Sequence, residues 1–330
     1  MSASHPSIIA AKVIDTKGDA DLALYLHDYQ TIPAAGPEVF VAPLKKPDHV
    51  GNDWLEPEQR QYTRAEHDVW DALYARQSDL LPGRACREFM QGLQRLELGR
   101  GGVPQLSAIN EVLLPLTGWQ VVPVPMLIPD AVFFFHLANR RFPAGNFLRS
   151  REQFDYIQEP DVFHDVFGHV PLLTDPIFAN YMQAYGRAGW KALKFNRLQA
   201  LSALYWYTVE FGLIREAEGL RIYGAGILSG PIETRFALES RSPHRIHLNV
   251  DRVMRTDYTI SDLQTTYFVI ESFAELFHMT EQRGFEPIYE SLAPGFVYAK
   301  TAALDTDHIY HRGTQEYALR GGRASNAPAI

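Results

Sequence analysis

The sequence is poor in three things, and each shortage removes a class of function. Cysteine occurs once, at Cys86, which excludes an internal disulfide and a thiolate metal cluster. A reducing compartment follows, so the cytoplasm is the expected location. Long basic runs are missing, and the net charge is −8 at pH 7 with a pI near 5.8; neither nucleic acid nor an anionic membrane surface is expected as a partner. Uninterrupted apolar runs are short. The most apolar region, Trp119 to Phe135, is broken by Pro123, Pro125 and Pro129 and carries Asp130, so no membrane span is expected. The run Ile8 to Ala11, followed by Lys12 and Asp15, is too short for the apolar part of a signal peptide.

What is present is an ordinary globular chain of 330 residues, 46% hydrophobic, able to bury a sizeable core. Residues 1–45 mix Gly, Pro and isolated charges without a sustained period and read as an irregular N-terminal arm. Residues 46–300 form the expected core. The last stretch, 301–330, ends in Arg-Gly-Gly-Arg-Ala-Ser-Asn-Ala-Pro before its final two residues and reads as a frayed C-terminal tail. Within the core, Thr63 with Glu66 forms a capping-box pattern before Val69, Trp70, Leu73 and Tyr74 at helical spacing. A second helix carries Phe89, Leu93 and Leu96, and a third spans Leu106 to Leu116. The prolines of GWQVVPVPMLIPDAVFFF favour short extended pieces, with Asp130 the expected N-cap of a helix bearing Phe133, Phe134 and Phe135. Further helices are expected over Asp175–Leu193, Arg197–Ala217 and Leu263–Met279. Gly224, Gly226 and Gly230 mark a tight loop, and Arg245–Val250 a strand. The fold class is therefore mainly α with a few short β-strands, in a single domain.

Chemistry concentrates in Phe163–Val170, FHDVFGHV. Its two imidazoles, His164 and His169, stand five residues apart, with Asp161 and Asp165 beside the first. Such a pair points to a metal ion. On a continuous α-helix, positions i and i+5 lie roughly 140° apart and cannot share one ion. Gly168 and Pro171 suggest a helix that ends between them, with His164 helical and His169 at or past the end. The best third ligand is Glu210, set among Leu204, Tyr205, Trp206, Tyr207, Val209, Phe211 and Leu213, because an ionised carboxylate in apolar surroundings needs a cation nearby. An arginine partner or a solvent-facing stripe would serve Glu210 equally, and the histidines could be a hydrogen-bonded core pair. His67, His136, His244, His247 and His278 lack acidic company and are expected to be structural or solvated. Two histidines and one carboxylate suit non-haem Fe(II) oxygenases. Zinc hydrolases use the same ligands, but their usual H-E-x-x-H spacing differs from the one here.

Four stretches, DYIQEPDVFHDVFGHVPLL, LYWYTVEFGL, YGAGILS and TYFVIESF, occur in an order that resembles the pterin-dependent aromatic amino acid hydroxylases, above all the bacterial phenylalanine hydroxylases; the resemblance covers about residues 60 to 298. It implies a catalytic domain alone, binding iron and pterin over 46–300. It further implies a monooxygenase converting L-phenylalanine to L-tyrosine, with Fe(II), a tetrahydrobiopterin-like tetrahydropterin and O2 as co-substrate, as the first step of phenylalanine catabolism. Tryptophan or tyrosine hydroxylation is the nearest competing activity. A zinc hydrolase, or a non-catalytic amino-acid-binding protein on the same scaffold, remains open from other classes.

The resemblance assigns His164, His169 and Glu210 as iron ligands, with Asp161 and Ser229 supporting the first histidine. Arg149 matches the arginine for the substrate carboxylate. Pro160, Trp206 and Gly226 match the substrate pocket, while Phe133, Ile128 and Asp165 match the pterin side. Glu159 and Tyr205 match catalytic-site residues. Ile157 replaces a threonine of the animal enzymes, and Ile260 an aspartate of tyrosine-hydroxylating relatives, which favours a substrate ring without a hydroxyl. The implied partners are small molecules and a pterin-recycling dehydratase, with the chain itself a monomer or weak dimer.

Overall fold

The computed structural model describes residues 51, 53–155, 157, 159–260, 262–281, 285–292 and 295–322; the expected N-terminal arm lies outside them. The first helix, α1 (Arg64–Leu80), begins as its sequence asks: the Glu66 amide donates to the Thr63 hydroxyl at 3.3 Å, and the Glu66 carboxylate takes the Thr63 amide at 2.7 Å. It buries Val69, Trp70 and Leu73. Helices α2 (Arg87–Leu96) and α3 (Leu106–Thr117) follow, both closed by a residue in the left-handed region, Glu97 and Gly118.

The proline-rich stretch supplies β1 (Gln120–Val124), which pairs in parallel with β2 (Arg141–Gly145) across α4 (Asp130–Ala138). Asp130 is not the N-cap. Pro129 turns the chain in its extended conformation, and Asp130 enters the first helical turn as a buried side chain whose carboxyl is pushed up to about 7 by burial.

Beyond the histidine stretch come α5 (Pro176–Lys194), capped by the Asp175 carboxylate, and α6 (Leu198–Tyr205). The long helix expected to Ala217 stops early. After Glu210 the β-branched Ile214 and its neighbours form β3 (Leu213–Glu216), hairpinned to β4 (Gly219–Ile222). The glycine-rich segment is partly helical, as α7 (Ala225–Leu228), before α8 (Pro231–Glu239). The strand expected to reach Val250 is β5 (His244–His247), and Asn249 instead caps α9 (Val250–Met254). The helix expected from Leu263 begins only at α10 (Phe273–Glu281); TYFVI forms β6 (Thr266–Ile270), buried at every position. A short run apolar on both faces has the same pattern in a buried strand as in a buried helix. Helix α11 (Glu286–Ser291) leads toward the C-terminal segment.

That segment is not frayed through Gly322. It contributes β7 (Ile309–His311) at the edge of a five-stranded sheet of order β4-β3-β6-β5-β7, and α12 (Glu316–Leu319), which buries Tyr317. Buried Arg252 pairs with Asp307 at 3.3 Å, and the Gly313 amide donates to His244 Nδ1 at 2.9 Å; these contacts fix a segment whose composition alone suggests disorder. No helix among the described residues is long and apolar enough to cross a membrane.

Candidate metal centre and adjoining cleft

The two histidines lie on one unbroken π-helical turn, Phe163–His169, which runs directly into a 3₁₀ turn, Val170–Thr174. The π turn ends at His169, as expected, but the chain continues helically into the 3₁₀ turn, and no break separates the two histidines. A π-helix bonds residue i to i+5, so the spacing that disqualifies an α-helix places both imidazoles on one face. Packing holds the turn: Phe163 and Phe167 stack at 4.8 Å, with Trp70 and Phe89 edge-on to them. Gly168 lets α7 come close, since a Cβ there would stand 3.0 Å from the Ala225 carbonyl oxygen. Glu210 ends a second π turn, Trp206–Glu210, in which the Phe211 amide bonds the Trp206 carbonyl five residues back.

Three side chains bring donor atoms together. The Nε2 atoms of His164 and His169 are 3.2 Å apart, Glu210 Oε1 is 3.3 Å from His169 Nε2, and Glu210 Oε2 is 3.5 Å from His164 Nε2. An ion about 2.1 Å from each donor needs spacings of about 3.0 Å at right angles and about 3.4 Å in a tetrahedron, so the donor set fits a divalent cation bound on one face. Burial alone would raise the Glu210 carboxyl, but His169, His164 and the Gly226 amide bring it below its ordinary value. Burial holds the His164 imidazole neutral, down to about 4. Asp165 also brings a carboxylate oxygen within 4.8 Å of both imidazoles. Its Oδ2 accepts the Gly145 amide at 2.7 Å, whereas Glu210 faces both rings, so Glu210 is the better third ligand.

The tautomer of His164 follows from its partners. Ser229 Oγ donates to the Ala225 carbonyl at 2.8 Å and so accepts from His164 Nδ1 at 2.9 Å, leaving the Nε2 lone pair free to face the cation. Asp161 acts elsewhere: its Oδ1 accepts the His164 backbone amide at 3.0 Å, as an N-cap does, not the ring. The Nε and Nη2 of Arg149 hold both Asp161 oxygens, each at 2.8 Å, in a pair almost wholly buried. Although burial pushes the Asp161 carboxyl up, Arg149 draws it below its usual range. The fork expected to meet a substrate carboxylate is therefore engaged along one edge.

His169 opens into a cleft of roughly 400 Å³, mouth included, lined by Ile128, Phe133, Phe142, Pro160, Asp165 and Tyr205 among others. All three residues expected on the pterin side meet there, joined by Pro160 and Tyr205. Phe133 presents its edge to Tyr205 at 5.9 Å. Trp206 is outside that lining, half-buried, stacked on Tyr258 at 5.2 Å and 25°. Gly226 sits below Glu210, and Glu159 is exposed one residue before Pro160. Ile157 and Ile260 are half-buried. His67 accepts the Val103 amide and His136 bonds the Asp53 carbonyl, structural roles as expected.

Residues not singled out from the sequence include Phe142, whose ring lies 5.0 Å from that of His169, and Gly145, whose amide holds Asp165. Both belong to β2, a strand whose pairing with β1 no local pattern announces. Thr208 is another; its hydroxyl bonds the Leu204 carbonyl at 2.5 Å and lies 3.1 Å from the Tyr181 hydroxyl, inside the turn carrying Glu210. A threonine bonding back four residues distorts a helix, which is the one signal that could have found the turn.

Comparison with known proteins identifies the family. Residues 56–287 match the family model described as biopterin-dependent aromatic amino acid hydroxylase. A phenylalanine-4-hydroxylase of Caulobacter vibrioides is 56% identical over 278 residues, 84% of this chain and 94% of that protein. One from Ralstonia nicotianae is 54% identical, covering 79% and 83%. The cobalt-bound Chromobacterium violaceum phenylalanine hydroxylase superposes with a TM-score of 0.77 at 49% identity, over 82% of this chain and 100% of that one. The iron- and phenylalanine-bound structure of that enzyme gives 0.75 at 48%, over 79% and 95%. The chain belongs to the biopterin-dependent aromatic amino acid hydroxylase family.

Proposed function

We propose that this protein hydroxylates L-phenylalanine to L-tyrosine with O2 and a tetrahydropterin, at a mononuclear non-haem Fe(II) held by His164, His169 and Glu210. The observation that carries this is the convergence of two imidazole Nε2 atoms 3.2 Å apart with the two Glu210 oxygens, one 3.3 Å from His169 and the other 3.5 Å from His164, on two π turns. The names of the relatives and the iron- and phenylalanine-bound neighbour support iron and phenylalanine in particular. Iron bound there would supply, together with the reduced pterin, the electrons that closed-shell substrates need to react with O2.

The chain's own residues bind, orient and exclude water. Ser229 fixes the His164 tautomer, and Gly226 donates to the Glu210 carboxylate. Phe133 and Ile128 wall the cleft for the flat pterin, beside the Asp165 carboxyl, which burial pushes up to about 7. Arg149, steadied by Asp161 along its Nε and Nη2 edge, offers Nη1 to the amino acid carboxylate. Pro160, Trp206 and Gly226 bound the ring. Tyr205 lines the cleft 6.3 Å from the His169 ring, and Glu159 is exposed beside Pro160, which lines it. Apolar Ile260 leaves no partner for a substrate hydroxyl, which favours phenylalanine over tyrosine.

The hydroxypterin product requires a dehydratase for recycling, and the reaction opens phenylalanine breakdown in the cytoplasm, carried out by a monomer or weak dimer. Turnover of phenylalanine, tyrosine and tryptophan compared under one pterin and O2 concentration tests the reading: phenylalanine should lead, and tryptophan in front would overturn it. Arg149→Lys should raise KM for phenylalanine, because a point charge cannot hold Asp161 at two points and a carboxylate besides. Unchanged steady-state constants would remove Arg149 from the substrate site.

A further inference from the structure

Gln264, 2% exposed, is a buried polar side chain that joins Trp206 to the loop bearing Ile260. Its Oε1 accepts the Trp206 indole N–H at 2.9 Å. Its Nε2 donates to the carbonyls of Thr259 at 2.9 Å and Asp262 at 3.1 Å, one residue before and two residues after Ile260 in the loop. An indole only donates and a carbonyl only accepts, so these three partners permit one amide orientation. The Gln264 backbone is itself anchored, its N–H donating to buried Glu233 at 3.1 Å, and Glu233 also takes the Tyr267 hydroxyl. Every polar atom of the amide's heavy framework is thus engaged, in a network that holds one geometry.

We propose that Gln264 is a specificity-determining positioning residue: it clamps the Trp206 ring to the loop bearing Ile260 and so sets the width of the aromatic substrate pocket. The inference rests on the reading of Trp206 as that pocket's wall. Two other contacts brace the same seam without fixing the indole's rotation: the Tyr207 hydroxyl donates to the Asp257 carbonyl at 2.6 Å, and Tyr258 stacks on Trp206. Stacking tolerates rotation in the plane of the ring, whereas the N–H bond to Gln264 does not. Gln264 touches neither ligand histidine nor Glu210 among its hydrogen bonds, so its effect should fall on substrate fit.

The test is a double-mutant cycle on the iron-loaded, full-length enzyme with Gln264→Leu, Trp206→Phe and the pair, measuring kcat and KM for phenylalanine and tryptophan and iron content. Gln264→Leu should raise KM for phenylalanine about five- to tenfold, the worth of a hydrogen bond with its indole left unpaired, and change the phenylalanine to tryptophan ratio of kcat/KM at least threefold with iron content at one per chain. The Trp206→Phe change, which removes the indole N–H, should make the further Gln264→Leu change nearly silent. Gln264→Glu, which keeps the indole's acceptor but sets a carboxylate oxygen against the Thr259 and Asp262 carbonyls, should share the loss. If Trp206→Phe lowers turnover while Gln264→Leu leaves KM and selectivity unchanged, or if the two losses simply add, the clamp is wrong although the pocket stands. If Trp206→Phe changes nothing, the pocket reading itself fails. Should Gln264→Leu lower the unfolding temperature enough to obscure kinetics, the Gln264→Met and Trp206→Phe pair measured at 15 °C decides: additive losses there reject the clamp.

Discussion

The two π turns bring three donor side chains to one point but are held by different forces. The first, Phe163–His169, is set by packing: stacked Phe163 and Phe167, aromatic edges from Trp70, Tyr74 and Phe89, and close approach of α7 at Gly168. The second, Trp206–Glu210, is set largely by hydrogen bonds, from Thr208 to Leu204 and Tyr181, Tyr207 to Asp257 and Trp206 to Gln264. Where packing sets a ligand, errors should appear as lost stability. Where directional bonds set it, they should appear as altered affinity or selectivity in a folded protein.

The largest effect should come from removing a ligand on the packed turn. His164→Ala or His169→Ala should abolish iron binding and tyrosine formation together, read by metal analysis and product assay; a variant keeping full turnover would show that the turn does not form the site. Next, Phe167→Ala should cost about 3 to 5 kcal/mol of stability, as large aromatic truncations in cores do, and the fall in unfolding midpoint is its measure. A loss below 1 kcal/mol would mean that packing does not hold this turn.

The expectations that failed are informative beside those that held. The candidate ligands stand out in the sequence because each is a chemical anomaly in an apolar stretch, His164 and His169 by mutual nearness and Glu210 by isolation. Helices with caps and long periods, such as α1 and α5, were legible for the same local reason. The π turns were not, because the register of a helix is decided by Thr208 bonding backward and by α7 packing on Gly168, contacts far apart in sequence or hidden in one hydroxyl. Strand β6 was missed because burial on both faces erases the two-residue period, and β7 because an edge strand's partner, β5, lies more than sixty residues away. Arg149 and Asp161 were assigned separate tasks where the structure joins them in one buried pair.

Smaller changes sharpen the comparison further. Ser229→Ala removes the acceptor that fixes the His164 tautomer and should weaken iron binding about 10- to 100-fold with little change in unfolding temperature; iron titration of the apoprotein measures it, and unchanged affinity would remove Ser229 from the site. Thr208→Val should have the mildest effect, a loss of affinity of about fivefold as the turn bearing Glu210 relaxes, with Thr208→Ser restoring it. If valine and serine behave alike, the second turn is held by packing too, and the contrast between the turns disappears.

The central claim, that His164, His169 and Glu210 hold the iron of a pterin-dependent phenylalanine hydroxylase, is tested most directly by titrating metal-free protein with Fe(II) while following tyrosine formation from phenylalanine, tetrahydropterin and O2. Tyrosine formation should rise from zero, saturate at one iron per chain, vanish with chelator and fail to appear with Zn(II). Turnover that persists undiminished in excess chelator, or that zinc supports equally, would contradict it.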